Sequence, residues 1–565
     1  MLATRLQRQD VLYLIAIGLW LLLAYGLFTW NFPITDTVES NYTLSAVNML
    51  QHHSYVSPMI YDQYWYDKPI WTYWMLMASF STFGVSDFTA RLPFICCAAL
   101  NGMMMYYGVR IITQHRTLAL WSAILLGTSL EFWYISHAIL TDGYLFLFTQ
   151  GILYFAYLAF NTVRATKVSL QDIKSAKHHI MIAYAFAGLA VLTKGPVGIV
   201  LPGLILLAYV FLFQRTKQTV TLLFAPQGWF LFALVALPWY LLMYIYHGMN
   251  FIEGFLGLHN VVRATIPEHP EQNWWFLYLV LWPVSLLPWT GLTLYELRYG
   301  TRNPWRIYLL TWGLGVFLFY NVMATKYLTY TFLCLIPFVI LTAQGYLTTK
   351  QHHQASTDYY GGWPILFPGT LFFLIITITL WILGAPQAQD PMNPTAMGLS
   401  HFIAILTSGT LLACLPLGYA WLKRQLKLSM LSTALSASIL YLLLLILLPP
   451  IVDDASTAQL AKTLPLTNTT KVFYYRDYRT SLVYYSKHPV TQILNPHEEA
   501  SIWSEGKNIM PIATVAETTQ AIQTTTDFII CVPRKYKTDF LQTTLSSYVV
   551  EAGQVENVII FKSKY

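Results

Sequence analysis

Charge is scarce in this chain. Lys, Arg, Asp and Glu make up 10% of its 565 residues, whereas a water-soluble domain carries about 25%. Most of the surface these residues can build therefore does not face water. Cysteine is scarcer still. Cys96, Cys97, Cys334, Cys414 and Cys531 are the five present, and they form no CxxC and no Cys/His ligand spacing. That excludes a disulfide scaffold, a dithiol redox centre and a structural zinc module. The sequence also has no P-loop, no dinucleotide fingerprint and no serine nucleophile elbow, so nothing supports nucleotide-driven transport or serine hydrolysis. What it does have is apolar: 56% hydrophobic residues, 16% aromatics and a mean hydropathy of +0.48. Composition thus excludes a cytosolic enzyme and a disordered chain, and points to a polytopic membrane protein.

A spanning helix needs about 20 mostly apolar residues. Thirteen candidates stand near 11–30, 88–109, 117–135, 139–160, 179–193, 196–213, 227–246, 275–296, 305–322, 328–347, 363–384, 401–421 and 429–450. The first is long, and Asn31-Phe32-Pro33 after it offers no small-residue cleavage site, so it reads as a span rather than a signal peptide. With the N-terminus inside, the inner segments hold 17 basic residues. The outer loops before the tail hold 5, namely Lys68, Arg91, Lys194, Arg263 and Lys326. This asymmetry follows the positive-inside rule. The expected fold class is an all-α membrane protein of about 13 transmembrane helices over residues 1–451. A small extracytoplasmic α/β domain is expected over 452–565, where Thr-rich polar sequence carries strand-like runs such as Val472–Tyr475 and Phe528–Val532. The net charge of +7 reads as topology and as attraction to anionic membrane lipids. It does not read as nucleic-acid binding, because no soluble unit carries a basic stripe interleaved with aromatics.

The five outward cations work against topology, and each has polar company. Asp36 and Glu39, Asp67-Lys68-Pro69, Arg91, His137 and Asp142, Lys194-Gly195, His259 with Arg263, and Thr325-Lys326-Tyr327 all fall on the outer side. Ionisable groups near membrane depth normally face a cavity or one another, so one shared outward cavity is expected; interfacial snorkelling is the alternative for any single residue. The outer loop 31–87 should fold rather than dangle, since 42–50 and 70–77 both have apolar residues at helical spacing.

In order along the chain stand Asp36-x-x-Glu39-x-x-Tyr42, Tyr66-Asp67-Lys68-Pro69, Ala90-Arg91-Leu92-Pro93, Leu140-Thr141-Asp142, Leu192-Thr193-Lys194-Gly195-Pro196, His259-x-x-x-Arg263 and Thr325-Lys326-Tyr327-Leu328-Thr329-Tyr330. This series resembles the lipid-linked-sugar glycosyltransferases of the GT-C fold, in particular the bacterial aminoarabinose-transferase-like branch related to protein O-mannosyltransferases. The resemblance covers roughly residues 10–350 closely. It implies a transferase of the bacterial cell membrane with a polyprenyl-phosphate (undecaprenyl-phosphate) sugar as donor, and a lipid such as lipid A, an envelope glycan or a protein as acceptor. It implies no nucleotide cofactor and no nucleic acid.

Carried over residue by residue, the resemblance makes Asp36 the catalytic carboxylate, with Glu39 as second choice. Lys68, Arg263, Lys326 and Lys194 become donor-phosphate contacts. Asp67 and His259 become holders of a divalent metal (Zn, Mg or Mn), and Asp142, Arg91 and Tyr330 take secondary places. This chain departs from the pattern in two respects: its first-loop acids are three apart instead of adjacent, and the acid before the Lys-Pro pair is Asp. Ordinary structural roles stand beside these. Asp36 and Glu39 can cap the helix near Tyr42, Asp67-Lys68 can be a local ion pair, and Asp142 can cap its own helix. Arg91 can anchor a helix end at the headgroups, and Lys194 can belong to a tight turn between two spans. A polytopic lipid or lipid-linked-sugar transporter or flippase is the competing function; against it, no inverted repeat is visible and the ionisable residues gather on one side.

Overall fold

The computed structural model describes residues 6–164, 168–268, 270, 273–355, 363–389, 398–449, 455–494 and 510–564. Each of the thirteen expected spans coincides with a helix or a bent helix pair. Among the described residues, nine helices are individually long and apolar enough to cross a membrane. The number rises to eleven if each of two bent pairs counts as one span. Val197–Phe213, at 17 residues, is apolar but shorter, and Pro304–Val322 completes the set.

The two bends depart from the straight spans expected at 117–135 and 275–296. Arg116–Gly127 meets Leu130–His137 at 61°, and Leu277–Ser285 meets Thr290–Tyr299 at 106°. Hydropathy counts apolar residues and is blind to what interrupts them. Pro283 and Pro288 cannot donate to a helix ladder, while Thr128 and Ser129 turn their hydroxyls back on the carbonyls of Ile124 and Leu125. The two breaks satisfy each other: the Leu130 N–H donates to Leu287 O at 3.0 Å, and the Trp289 indole N–H donates to Thr128 Oγ1 at 3.0 Å.

The first long loop, residues 31–87, is ordered. It folds into the helix Val38–Gln51, a hairpin of β1 (Met59–Ile60) and β2 (Gln63–Tyr64), and the helix Trp71–Phe83. Ser86 then caps the long helix Asp87–Thr113 through a capping box with Thr89.

The C-terminal part is a six-stranded sheet in the order β5-β4-β3-β6-β8-β7. Its strands are β3 (Lys471–Tyr475), β4 (Val490–Leu494), β5 (Ile512–Thr514), β6 (Phe528–Pro533), β7 (Val549–Val555) and β8 (Val558–Ser563). The first four run parallel, and β8 and β7 close one edge antiparallel. β6 is buried along its whole length, as a strand covered on both faces must be. The expected domain boundary at 451/452 lies outside the described residues.

This domain is fastened to the first long loop. The Asp36 N–H donates to Ala455 O (2.7 Å), Ser456 Oγ to Ile34 O (2.7 Å), and the Ile34 N–H to the Tyr485 hydroxyl (2.6 Å). That hydroxyl in turn donates to Asp87 Oδ1 at 2.9 Å.

Candidate functional site

Four distant stretches of chain converge, the first of them within the long loop 31–87. Asp67 and Lys68 lie between β2 and Trp71–Phe83, and Pro69 keeps Lys68 out of helical geometry. Asp142 opens the helix Asp142–Thr162, where a carboxylate suits the positive end of the helix dipole; Lys194 ends Leu170–Lys194, where a cation suits the negative end. Gly195 follows with φ +75°, and a Cβ there would meet the Phe255 ring at 2.7 Å, so this turn requires glycine.

The fourth stretch brings His259 and Arg263. The helix Pro226–Phe251 is kinked at Gly248 (φ +56°) and runs into an eleven-residue π-helix, Ile252–Val262. π-helical turns are rare and concentrate at functional sites. Their wider turn keeps His259 and Arg263, four residues apart, near one face.

The resulting cluster is centred on one oxygen. Asp67 Oδ1 lies 2.8 Å from Lys68 Nζ, 2.9 Å from His259 Nδ1 and 3.8 Å from the Arg263 guanidinium. Arg263 Nε also sits 3.2 Å from Glu268. Nearby, Lys194 Nζ donates to Asp142 Oδ1 at 2.7 Å and stands 5.2 Å above the Tyr330 ring. Burial alone would raise the pKa of Asp67, but Lys68, His259 and Arg263 together hold it well below the ordinary carboxylate value. Lys68 is pushed down to about 8, first by burial, against the pull of Asp67, with the Arg263 and Lys194 cations adding to the push.

The cluster forms a partition. On one side is a cavity of about 520 Å³ walled by Val197, Val200, Phe255, Leu256, Phe319 and Met323; on the other is a smaller, polar cavity of about 180 Å³ walled by Asn41, Tyr42, Trp65, Asp142 and Tyr327. Asp67, Lys68, Lys194, Arg263 and Tyr330 line both. An apolar chamber and a polar chamber thus meet at three cations.

The other expected site residues do not reach this partition. The carboxylate of Asp36 is turned into the C-terminal domain. It accepts from the Ser481 N–H (2.8 Å) and hydroxyl (2.5 Å) and from Ser40 Oγ (2.8 Å), with Arg479 at 3.6 Å. Burial raises its pKa, against the Ser481 hydrogen bonds and the Arg479 charge. Glu39 lies inward, taking hydrogen bonds from the Arg91 guanidinium (2.9 Å), the Ile139 N–H (2.9 Å) and the Thr35 N–H (3.0 Å). Arg91 is only 2% exposed and also donates to Pro33 O. It is therefore half of a buried ion pair, not a headgroup anchor. Lys326 is likewise withdrawn: its ammonium donates to the Asn321 and Met323 carbonyls at 2.9 and 3.0 Å, satisfying the end of Pro304–Val322. Lys326 thus holds a helix end at the place where the resemblance put a donor contact.

Sequence reasoning did not single out Ser481, Arg479, Tyr478 or Thr480, which reach the first loop from the tail. The Tyr478 and Thr480 hydroxyls both donate to Asn41 Oδ1 (3.1 and 2.8 Å), and Asn41 lines the polar chamber. Nothing in their local sequence marks them.

A divalent cation would find Asp67 and His259. Among the described residues, however, no group of three His, Cys, Asp or Glu side chains could hold a metal, and the Lys68 ammonium already occupies the shared carboxylate oxygen. That donor set falls short of a four-coordinate site.

Residues 11–252 match the family model of dolichyl-phosphate-mannose-protein mannosyltransferase. The chain is 25% identical over 349 residues to the undecaprenyl phosphate-alpha-4-amino-4-deoxy-L-arabinose arabinosyl transferase of Pectobacterium carotovorum, covering 60% of this chain and 59% of that one. It is 27% identical over 335 residues to an uncharacterized protein of Aquifex aeolicus, covering 59% of this chain and 64% of that one. It thus spans about three fifths of the length of these relatives. Among solved structures, ArnT of Cupriavidus metallidurans bound to undecaprenyl phosphate superposes with a TM-score of 0.74 at 17% identity, over 98% of this chain and 97% of that one. The order of helices, the folded first loop and the closing α/β sheet are therefore those of the GT-C membrane fold.

Proposed function

We propose that this protein is an integral membrane glycosyltransferase that moves a sugar from a polyprenyl-phosphate donor, such as undecaprenyl phosphate, to an acceptor outside the cytoplasm. The observation that carries the reading is the partition of Lys68, Lys194 and Arg263 between an apolar and a polar chamber. A polyprenyl-phosphate sugar has that sequence of chemistries: an apolar chain, a charged phosphate and a polar sugar. The chain fits the larger chamber, the phosphate the cations and the sugar the smaller chamber.

In the reaction, the bond between the anomeric carbon and the phosphate oxygen breaks. The electron pair leaves with the phosphate, and a new bond forms from the anomeric carbon to the acceptor oxygen. Charge grows on the departing phosphate, and fixed cations in a partly dry site stabilise it. Arg263 can grip two phosphate oxygens at once, while Lys68 and Lys194 act as point charges. The carboxylates that line the polar chamber are Asp67 and Asp142. Asp67 Oδ1 is shared by Lys68, His259 and Arg263, whereas Asp142 meets the single cation Lys194 through Oδ1, so Asp142 is the acid we assign to take a proton from an acceptor hydroxyl. A phosphate acceptor is already ionised, and Asp142 would then only orient it.

The distribution of basic residues, 17 against 5, supports a cytoplasmic N-terminus and an extracytoplasmic site, and the bacterial relatives support the inner or plasma membrane of a bacterium. An acceptor such as lipid A or an envelope glycan follows the resemblance to the aminoarabinose-transferase-like branch; a protein acceptor follows the mannosyltransferase family model. The test is to offer the purified protein, in lipid nanodiscs, radiolabelled polyprenyl-phosphate sugars and a membrane extract. Label should leave the lipid and appear in an acceptor, and Lys68→Ala and Arg263→Ala should each suppress it. Undiminished transfer by both variants would overturn the phosphate assignment.

A further inference from the structure

The C-terminal sheet contains an opening that the donor reading does not use. From the end of β3 the chain turns one way, through the helix Thr480–Ser486, to β4. From the end of β6 it turns the other way, toward β7 and β8. Adjacent parallel strands whose continuations diverge leave a crevice at their carboxyl ends, and this is where open α/β sheets bind ligands. A cavity of about 490 Å³ lies there.

Three cations line it: Arg479 from the segment after β3, and Arg534 and Lys535 from the turn after β6. Two acids share it, Asp477 and Glu556. Asp477 is held by Lys535 at 3.1 Å and Arg479 at 3.6 Å, whereas Arg534 is exposed and has no acid within ion-pair distance among the described residues. The crevice therefore carries a net positive charge and one uncommitted guanidinium, which suits a bidentate oxyanion. Arg479 also reaches Asp36 at 3.6 Å, and Ser456, which lines the same cavity, is bonded to Ile34. The site is thus built against the loop that walls the polar chamber.

We infer that this crevice is a second binding site, for a phosphate-bearing ligand. The phosphate lies against Arg534 and Arg479, and the remainder of the ligand occupies the cavity between the two strand ends. Such a phosphate can come from a soluble phosphomonoester or from a phospholipid headgroup at the membrane surface.

The test uses the full-length protein, with Arg534→Glu/Lys535→Glu as the crevice variant. Neither residue belongs to the partition or fastens the domain to the first loop. Two probes are used: glucose 1-phosphate in solution by calorimetry, and nanodiscs containing phosphatidic acid compared with phosphatidylcholine alone. Because the Lys68 cluster can also hold phosphate, both titrations are repeated in a Lys68→Ala background. There the charge reversal should weaken binding of at least one probe ten-fold or more, with the melting temperature unchanged. Dependence on the soluble probe identifies a phosphomonoester, and dependence on phosphatidic acid alone identifies a headgroup. If neither probe's binding responds to the charge reversal, the site does not exist as described. A failure of donor binding in Lys68→Ala alone bears on the partition and leaves this result readable.

Discussion

Ser481 gives both its backbone N–H and its hydroxyl to the two carboxylate oxygens of Asp36, at 2.8 and 2.5 Å, across 445 positions of sequence. An acid that resemblance places in catalysis is, in the folded chain, the point at which the tail grips the first loop.

Asp36→Asn and Ser481→Ala should therefore behave alike. Each removes a buried charge-assisted contact, worth about 1.5–3 kcal/mol. Each should lower the melting temperature and expose the C-terminal domain to limited proteolysis before turnover of the intact fraction falls. If Asp36→Asn abolishes turnover while its proteolysis pattern and stability stay native, Asp36 is the catalytic base and the latch is incidental.

Lys68 should give donor binding and stability opposite pH dependences. With its pKa at about 8 in the folded protein, against an ordinary 10.5, the site loses its ammonium as pH rises through about 8, and donor affinity should fall there. Unfolded chains keep that proton to higher pH, so between about 8 and 10.5 the unfolded state binds more protons and the folded state gains stability as pH rises. Lys68→Arg stays charged throughout and should flatten the binding profile. A wild-type donor affinity that is level from pH 7 to 9.5 would contradict the burial of this lysine.

The Glu39–Arg91 pair should be structural. Removing one partner of a buried ion pair strands the other, at about 3–5 kcal/mol. Glu39→Gln should sharply reduce folded yield, and Arg91→Ala should do so as well. Well-folded Glu39→Gln protein with a specific loss of turnover would return that acid to the chemistry.

Asp142→Asn separates acceptor classes. With a hydroxyl acceptor, turnover should drop about 10²-fold or more at nearly unchanged donor affinity, because a general base contributes about 10²–10⁴-fold; with a phosphate acceptor the loss should be smaller. The same preparation tests the metal: chelation should leave donor affinity unchanged. A loss restored by added Zn, Mg or Mn would put a divalent ion at Asp67 and His259.

A reporter fused after Tyr565 should be active on the extracytoplasmic side. Cytoplasmic activity would remove a span and reverse the site's orientation.

The positions of the spans, the folded first loop and the α/β tail were legible because helical and strand periodicities are local. Asp67, Lys68, Asp142, Lys194, His259 and Arg263 were legible as a group because ionisable residues between apolar spans are costly and therefore conspicuous. Their division of labour was not. Whether Asp36 faces the chamber or Ser481, and whether Lys326 faces a phosphate or the carbonyls of Asn321 and Met323, depends on contacts that short-range spacing does not encode. The bend at Leu277–Ser285 and Thr290–Tyr299 was hidden differently: its prolines are visible, but its partner, the neighbouring break whose Thr128 accepts from Trp289, lies 161 residues away.

The fastening of the tail to the first loop sets an order of events during synthesis. A ribosome delivers Asp36 and Asn41 early, and Thr480 and Ser481 some 440 residues later, after every helix of the membrane domain has been made. Until then the wall of the polar chamber at Asn41 lacks its outer support. The nascent protein is accordingly an inserted bundle with an unfinished pocket until the α/β sheet domain has emerged and closed it.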